Sequence, residues 1–418
     1  MKMLEFTRLS LDEFAIFSEC HKYASFLQSK EEYIFKLKEG YDCFLIGVKD
    51  NDVIVAATFL YSVPVMKIYT YFYAPRGFLL DYNDENLLSY FLENLKRFLY
   101  SKKCLYLKFE PYVPYIERDK SGNIVPNGFD NSKIISNLKK QCIHGGFTKG
   151  FNSISQARWL MVMDLENMDK ESILLEMDQQ TRWSIHKTLK QGIKIKELSL
   201  NELNIFLDMM EHTAKRRHFD LREKEYYIDQ FKYFGSKAKV ILAYLDTEDF
   251  IKRMFQEKNS LQVEFNNLSL KLEEHPNSKK YKNKSKVCEE ALRINERNIS
   301  YAKELQREYG EIIPMASAFF ILHGNSCTYL HSAAYSQFST FNAPYAIQWY
   351  MIQYALSKKL KYYNFYGISG DFNKESDDYG VYKFKQGFNS HVVELIGDFY
   401  LPIRKTNFYL YNKFKNVV

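Results

Sequence analysis

Residues 362–389 read YYNFYGISGDFNKESDDYGVYKFKQGFN, and their order decides how the whole chain divides. The aromatic run 362–366 has strand character, because aromatic rings suit a pleated, half-buried surface. Gly367-Ile368-Ser369-Gly370 then reads as a turn. An acidic loop follows, and Lys383-Phe384-Lys385 reads as a second strand with both lysines on one face. The segment entering this stretch, YALSKKLKYYNFY at 354–366, echoes FLYSKKCLYLKFE at 98–110, with the same Ser-Lys-Lys between a helix-like and a strand-like run. The chain therefore looks duplicated, with Glu110 and Tyr366 at matching strand ends.

In the first half, the runs 44–48 and 53–60 predict a hairpin across Lys49-Asp50-Asn51-Asp52. Leu87, Leu88, Phe91, Leu95 and Phe98 have helical spacing, and alternating Leu105, Leu107 and Phe109 predict a strand. The second half repeats strand, strand, helix, strand at 240–245, 315–322, 327–331, 344–357 and 362–366. Two α/β units of similar plan follow. Between the first two strands of the second unit, Ile251, Met254, Lys258, Leu261, Phe265, Leu268 and Leu272 are spaced alternately by three and four. Val287, Ala291, Ile294, Asn298, Tyr301 and Leu305 resume that spacing after a break at His275-Pro276-Asn277-Ser278, which predicts an antiparallel helical hairpin. Arms of about 25 residues reach roughly 35 Å. Lysines 279, 280, 282, 284 and 286 near its tip suit a solvated face, an RNA backbone or a protein partner.

With 418 residues and 46% apolar content, the chain has ample material for packed cores. No apolar run approaches the roughly 20 residues of a bilayer span, and MKMLEFTRLSLDEF has no signal-peptide core, so the expected location is cytoplasmic. The six cysteines lie far apart with no CxxC, which argues against a disulfide frame or a zinc site. A formal charge of +7 suits a phosphate-bearing partner without naming one. Motifs for nucleophilic serine or cysteine catalysis, Walker loops, GxGxxG and HExxH are absent, so an enzyme here works by positioning and electrostatics. A predicted helix over 170–191 carries Arg182, His186 and Lys190 in one stripe, which fits phosphate binding and equally a solvated face. Lys215, Arg216 and Arg217 end the next helix, where cations complement its carbonyl end.

These residues carry a resemblance. Gln28 with Lys36, VPVMK at 63–67, Arg76-Gly77, CLYLKFEPY at 104–112, YNFYGISG at 363–370, DYGVYKFK at 378–385 and GDFY at 397–400 stand in the order of the Fem aminoacyltransferases. The chain resembles the staphylococcal FemA/FemB type and its Fmh-like paralogues. That resemblance implies two tandem acetyltransferase-like (GNAT) subdomains, an α/β (α+β) fold with an antiparallel coiled-coil arm inserted in the second. The expected divisions are 1–150, then 151–246 with 308–400, the arm 247–307, and a C-terminal capping segment 401–418 whose basic and aromatic residues also suit an anionic lipid surface.

It also implies a reaction: a small amino acid, serine or glycine, moves from aminoacyl-tRNA to an amine of a lipid-linked peptidoglycan precursor, building the interpeptide bridge. The expected partners are glycyl- or seryl-tRNA, lipid II or glycyl-lipid II, a Fem-family homo- or hetero-oligomer, and the inner face of the plasma membrane. No metal and no cofactor beyond the aminoacyl-tRNA co-substrate are expected. By position, Lys36 resembles a contact to the precursor's phosphates, Arg222 and Tyr366 resemble residues placed around the precursor pocket, and Tyr329 falls at a family pocket position. Arg76, Arg182 and Lys383 complete the expected substrate-binding set. Lys385 resembles a lysine stabilising charge at the reacting ester or holding a tRNA phosphate, and Glu110 stands where relatives carry Asp, a candidate for orienting the amine. The chain departs from its relatives at Thr181-Arg182-Trp183-Ser184, at His331-Ser332-Ala333-Ala334-Tyr335 and at Pro75. A non-catalytic binding paralogue is the alternative reading.

Overall fold

The computed structural model describes residues 3–66, 68–151, 156–415 and 417; Lys67 of the VPVMK motif lies outside them, as do positions 1, 2 and 418 of the expected divisions. Among the described residues the strands form two sheets. The first runs Leu4–Arg8, Cys43–Asp50, Val53–Val65, Tyr69–Ala74, Cys104–Phe109, Phe399–Pro402, Ile143–His144, with Leu79–Leu80 beside Val53–Val65. The second runs Lys194–Glu197, Ala238–Asp246, Ile312–His323, Ser326–Ala334, Tyr362–Ile368, Trp159–Asp164, His391–Leu395, Pro114–Glu117. The mixed α/β class is as expected.

Each sheet holds a parallel pair whose two strands are joined through a helix, as parallel strands require. In the first sheet the helix is Glu85–Ser101, started by Asp84, whose carboxylate accepts the Leu87 amide. Its Leu87, Leu88, Phe91, Leu92, Leu95 and Leu99 are buried, and they pack against the sheet through Phe72, Leu107 and Phe109. In the second sheet the helix is Ala343–Ser357, whose mostly apolar circumference is buried at Ala346, Ile347, Met351, Ile352 and Ala355.

The two pairs differ in length. Tyr69–Ala74 and Cys104–Phe109 stay paired from Thr70↔Cys104 to Ala74↔Phe109. Ser326–Ala334 and Tyr362–Ile368 pair only at Ser326↔Tyr362, Cys327↔Tyr363 and Thr328↔Asn364, then diverge. The divergence begins at a bulge: the register against Trp159–Asp164 shifts between Asn364 and Tyr366, and Tyr366 takes a left-handed φ of 63°. The Asn364 side chain accepts the Tyr366 amide at 2.7 Å, satisfying a donor the ladder has released.

The arm interrupts the second sheet between Ala238–Asp246 and Ile312–His323, as its periodicity predicts. It consists of helices Thr247–Glu274 and Lys279–Tyr309. Asp246 and Ser278 cap them by accepting the amides of Asp249 and Tyr281. Met254 and Leu268 on one helix and Cys288, Ile299, Ala302 and Leu305 on the other are buried.

Three readings need revision. Residues 379–386 form a helix, Tyr379–Gln386, in place of a strand. Helical spacing lets Tyr382 and Gln386 share one partner: the Tyr382 hydroxyl and Gln386 Nε2 both donate to the Lys120 carbonyl, at 2.9 and 2.8 Å. The 170–191 run divides into Lys170–Glu176 and Gln179–Lys190, because the chain is extended at Met177 and the Asp178 amide donates to the Gly387 carbonyl at 2.9 Å. Finally, sheet membership crosses the sequence divisions at two places. Pro114–Glu117 pairs with His391–Leu395 in the second sheet, while Phe399–Pro402 pairs with Cys104–Phe109 in the first. The helix Lys405–Lys415 then packs onto the first sheet, with Phe408 buried against Tyr106.

Candidate active site

The diverging strands enclose a cavity of about 810 Å³, with Tyr329 on one side, Tyr366 and Gly367 on the other, and Lys385 in its wall. The helix Tyr379–Gln386 explains why only one of the two lysines arrives. Residues two apart on a helix point about 200° from each other. Lys385 is buried at 6% exposure, whereas Lys383 is exposed and donates to its own helix at Gln386 Oε1, 2.5 Å away. Lys383 is therefore outside the cavity.

Lys385 Nζ donates to the Gly367 carbonyl at 2.6 Å. Burial pushes its ammonium down to about 7, with Asp378 opposing the shift. Gly367 is tightly held: a Cβ there would stand 2.7 Å from Ala157 Cβ. Only a residue without a side chain lets the strand approach this closely. Tyr329 stacks on Phe320 at 5.4 Å, and burial raises its phenol to about 12.

At the end of the first sheet's strand Cys104–Phe109, Glu110 is 2% exposed. Its Oε1 accepts the Tyr73 hydroxyl and, at 3.1 Å, the Gln156 amide. Its Oε2 has no hydrogen-bond partner among the described residues. Burial raises the carboxyl to about 7, Asp398 adds to the rise, and Arg76 and Lys108 oppose it. The Tyr366 hydroxyl donates to Gln156 Oε1 at 2.7 Å. Gln156 thus ties the two matching strand ends, by its backbone to Glu110 and by its side chain to Tyr366.

Arg76 lies beneath this link. It is 2% exposed, donates to the Ala157 carbonyl at 2.6 Å, and its guanidinium sits 5.5 Å from the Tyr112 ring. Its φ of 56° places it in the left-handed region, next to Pro75, whose carbonyl accepts from Gln28 Nε2 at 2.8 Å. Gln28, fully buried, also accepts the Phe59 amide at 2.8 Å, which pins the chain around 28 to the first sheet.

A second cluster forms around Lys36. Its ammonium lies 2.5 Å from Glu39 and 3.7 Å from Glu32, within 6 Å of the Tyr41, Tyr61 and Tyr226 rings. Burial alone lowers its pKa, but the two glutamates hold it above the ordinary lysine value. Burial raises Glu32 to about 7 against the pull of Lys36. Arg222 is exposed and stacks on the same Tyr226 ring at 4.8 Å. The structure therefore brings Lys36 and Arg222 together, and Tyr366, Tyr329 and Lys385 together. Arg182 joins neither group: its guanidinium donates to the carbonyls of Leu175 and Met177, closing the end of Lys170–Glu176.

Gln156, Tyr73 and Tyr226 carry no sequence signal, because their roles depend on contacts between distant segments. Among the described residues there is no His/Cys/Asp/Glu group suited to a metal ion, and no helix is long and apolar enough to cross a membrane.

The FemAB family model matches residues 9–416. Aminoacyltransferase FemA of Staphylococcus epidermidis is 36% identical over 416 residues, covering 99% of this chain and all of the relative. Aminoacyltransferase FemA of Staphylococcus aureus is 36% identical over 420 residues, covering 99% of each. The crystal structure of FemX superposes with a TM-score of 0.83 at 24% identity, over 97% of this chain and 99% of that one, which shows a shared fold. The chain belongs to the FemAB family and, by that kinship, is an acyltransferase.

Proposed function

We propose that this protein moves serine or glycine from aminoacyl-tRNA to an amine of a lipid-linked peptidoglycan precursor, building the interpeptide bridge. The observation that carries the reading is one bonded path. Lys385 holds the Gly367 carbonyl, the adjoining Tyr366 binds Gln156, and Gln156 binds Glu110. Two buried ionisable groups, both brought to about 7, stand at its ends.

An aminoacyl ester is already activated, so a neutral amine attacks it without an enzyme nucleophile. The C–N bond forms as the bond from carbonyl carbon to the ribose oxygen breaks. The amine proton passes to the Glu110 carboxylate. Lys385 offsets charge on the carbonyl oxygen and supplies a proton to the departing ribose oxygen. Lys36 and Arg222 hold the precursor's phosphates, and Tyr329 and Tyr366 line the path of the ester. The reaction needs neither a metal nor a cofactor besides the charged tRNA.

The outward face of Lys405–Lys415 presents Tyr409, Leu410 and Phe414 at 55%, 56% and 81% exposure, with Lys413 and Lys415 nearby. That composition supports contact with an anionic bilayer beside a lipid-linked acceptor. Failure to pellet with anionic vesicles removes this part of the reading.

The deciding experiment offers radiolabelled glycine, serine and alanine on tRNA to lipid II and to lipid II bearing one to three glycines. Transfer of one amino acid to one acceptor establishes the activity and its specificity together. No transfer by folded protein, beside an active FemA control, shifts the reading to a paralogue retained for binding its Fem-family partners.

A further inference from the structure

Arg216 and Arg217 end the helix Leu203–Arg217, where the carbonyl end of the dipole favours cations. That accounts for Lys215, which pairs with Glu211 at 2.8 Å. It does not account for the placement of the two arginines. Both line the 810 Å³ cavity, and both line an adjoining cavity of about 510 Å³ that shares Tyr329, Ser332 and Pro344 with it. Both are exposed, and among the described residues neither has a carboxylate within the 4.0 Å of an ion pair. Asp377 and Asp378 line the second cavity too, yet neither is paired with these arginines. Two guanidiniums with no ion-pair partner among the described residues, lining the void that holds Lys385, form an anion-binding wall.

We propose that Arg216 and Arg217 grip phosphodiesters at the 3′ end of the aminoacyl-RNA, seating the strand so that its ester reaches Lys385. This rests on the reading of the cavity as the aminoacyl-tRNA site. Guanidinium forks match phosphate oxygens in pairs, and both arginines are exposed on the lining that the two cavities share. On this assignment the two arginines bind and do not take part in bond making.

The test uses the full chain, uncharged tRNA for binding and seryl- or glycyl-tRNA for transfer. Arg216→Gln/Arg217→Gln and each single variant are compared with Lys215→Gln, which removes a neighbouring charge that lines neither cavity. The expected result for the double variant is a KM for charged tRNA at least tenfold higher, with kcat at saturating RNA within twofold of the parent. KM for the lipid-linked precursor stays unchanged. The slope of log affinity for uncharged tRNA against log salt falls by about 0.7 for each single-strand phosphate that the variant no longer neutralises. Lys215→Gln leaves the slope unchanged.

An unchanged slope and KM in the double variant, with the parent binding and transferring, overturns this inference and leaves the proposed function standing. So does an equal loss in Lys215→Gln, which reports general electrostatics, or a rise confined to the precursor's KM, which reports the other substrate. A parent protein that binds no tRNA overturns both. If the double variant fails to fold, the single variants decide the matter in the same way, at half the slope change.

Discussion

The two parallel strand pairs begin alike and end differently. Ser-Lys-Lys precedes a strand in both halves, yet the first pair is bonded through Ala74↔Phe109 while the second separates after Thr328↔Asn364. The closed pair supplies a rigid strand end that aims Glu110, and the open pair supplies the cavity that holds Lys385. One repeated plan therefore performs two tasks, and the difference is the pairing that the second pair gives up beyond Thr328↔Asn364.

The largest effect is expected at Lys385. If the opened pair holds the chemistry, Lys385→Ala lowers single-turnover transfer by about 10²–10³-fold, the range for losing one preorganised donor at a developing oxyanion. Its thermal melt stays cooperative. Near-normal transfer removes Lys385 from the mechanism and leaves the cavity a binding feature. Next in size, Lys36→Ala and Arg222→Ala each raise the precursor's KM by about 10–100-fold, as expected when a charged hydrogen bond is removed, with kcat nearly constant. A fall in kcat instead places that cluster in the chemical step.

The two buried ionisable groups make stability depend on pH in opposite directions. Glu110 has its folded value raised to about 7 from 4.5, so its stabilising contribution is present below pH 4.5 and lost as pH rises through 7. Lys385 is lowered to about 7 from 10.5, so its contribution is present above pH 10.5 and lost as pH falls toward 7. Glu110→Gln and Lys385→Met should therefore both be more stable than the parent near pH 7.5, by about 1–3 kcal/mol. The Glu110→Gln advantage grows as pH rises from 4.5, and the Lys385→Met advantage grows as pH falls from 10.5. Denaturant melts across that range check both, and a difference independent of pH refutes the assignment. The smallest effect is expected at the link itself. Tyr366→Phe forfeits one neutral hydrogen bond to Gln156, lowering transfer by about 2–10-fold without altering the precursor's KM.

Much of this architecture is legible in the sequence because it is periodic. The arm follows from three-and-four spacing with a proline break, and the helix Glu85–Ser101 from its leucines. The helix Tyr379–Gln386 is hidden because YGVYKFKQ alternates like a strand, and its conformation is settled by the Lys120 carbonyl more than 250 residues away. The same distance dependence hides Gln156. Lys36, Glu110, Tyr366 and Lys385 stand in recognisable motifs, whereas Arg216 and Arg217 read as ordinary helix-end cations until the cavity beside them is known. Arg182 shows the converse: a charge in a suggestive stripe turns inward to the end of a neighbouring helix.

The exchange of strands between the sheets bears on how the protein is made. Domains tend to fold in the order of their synthesis. Here the first sheet keeps a gap between Cys104–Phe109 and Ile143–His144 until Phe399–Pro402 arrives to bridge them. A segment that stops at residue 150 therefore carries an incomplete first sheet, and it also lacks Gln156, whose amide Glu110 accepts. Each sheet borrows a strand from across the sequence divisions, so neither half is a finished unit by itself.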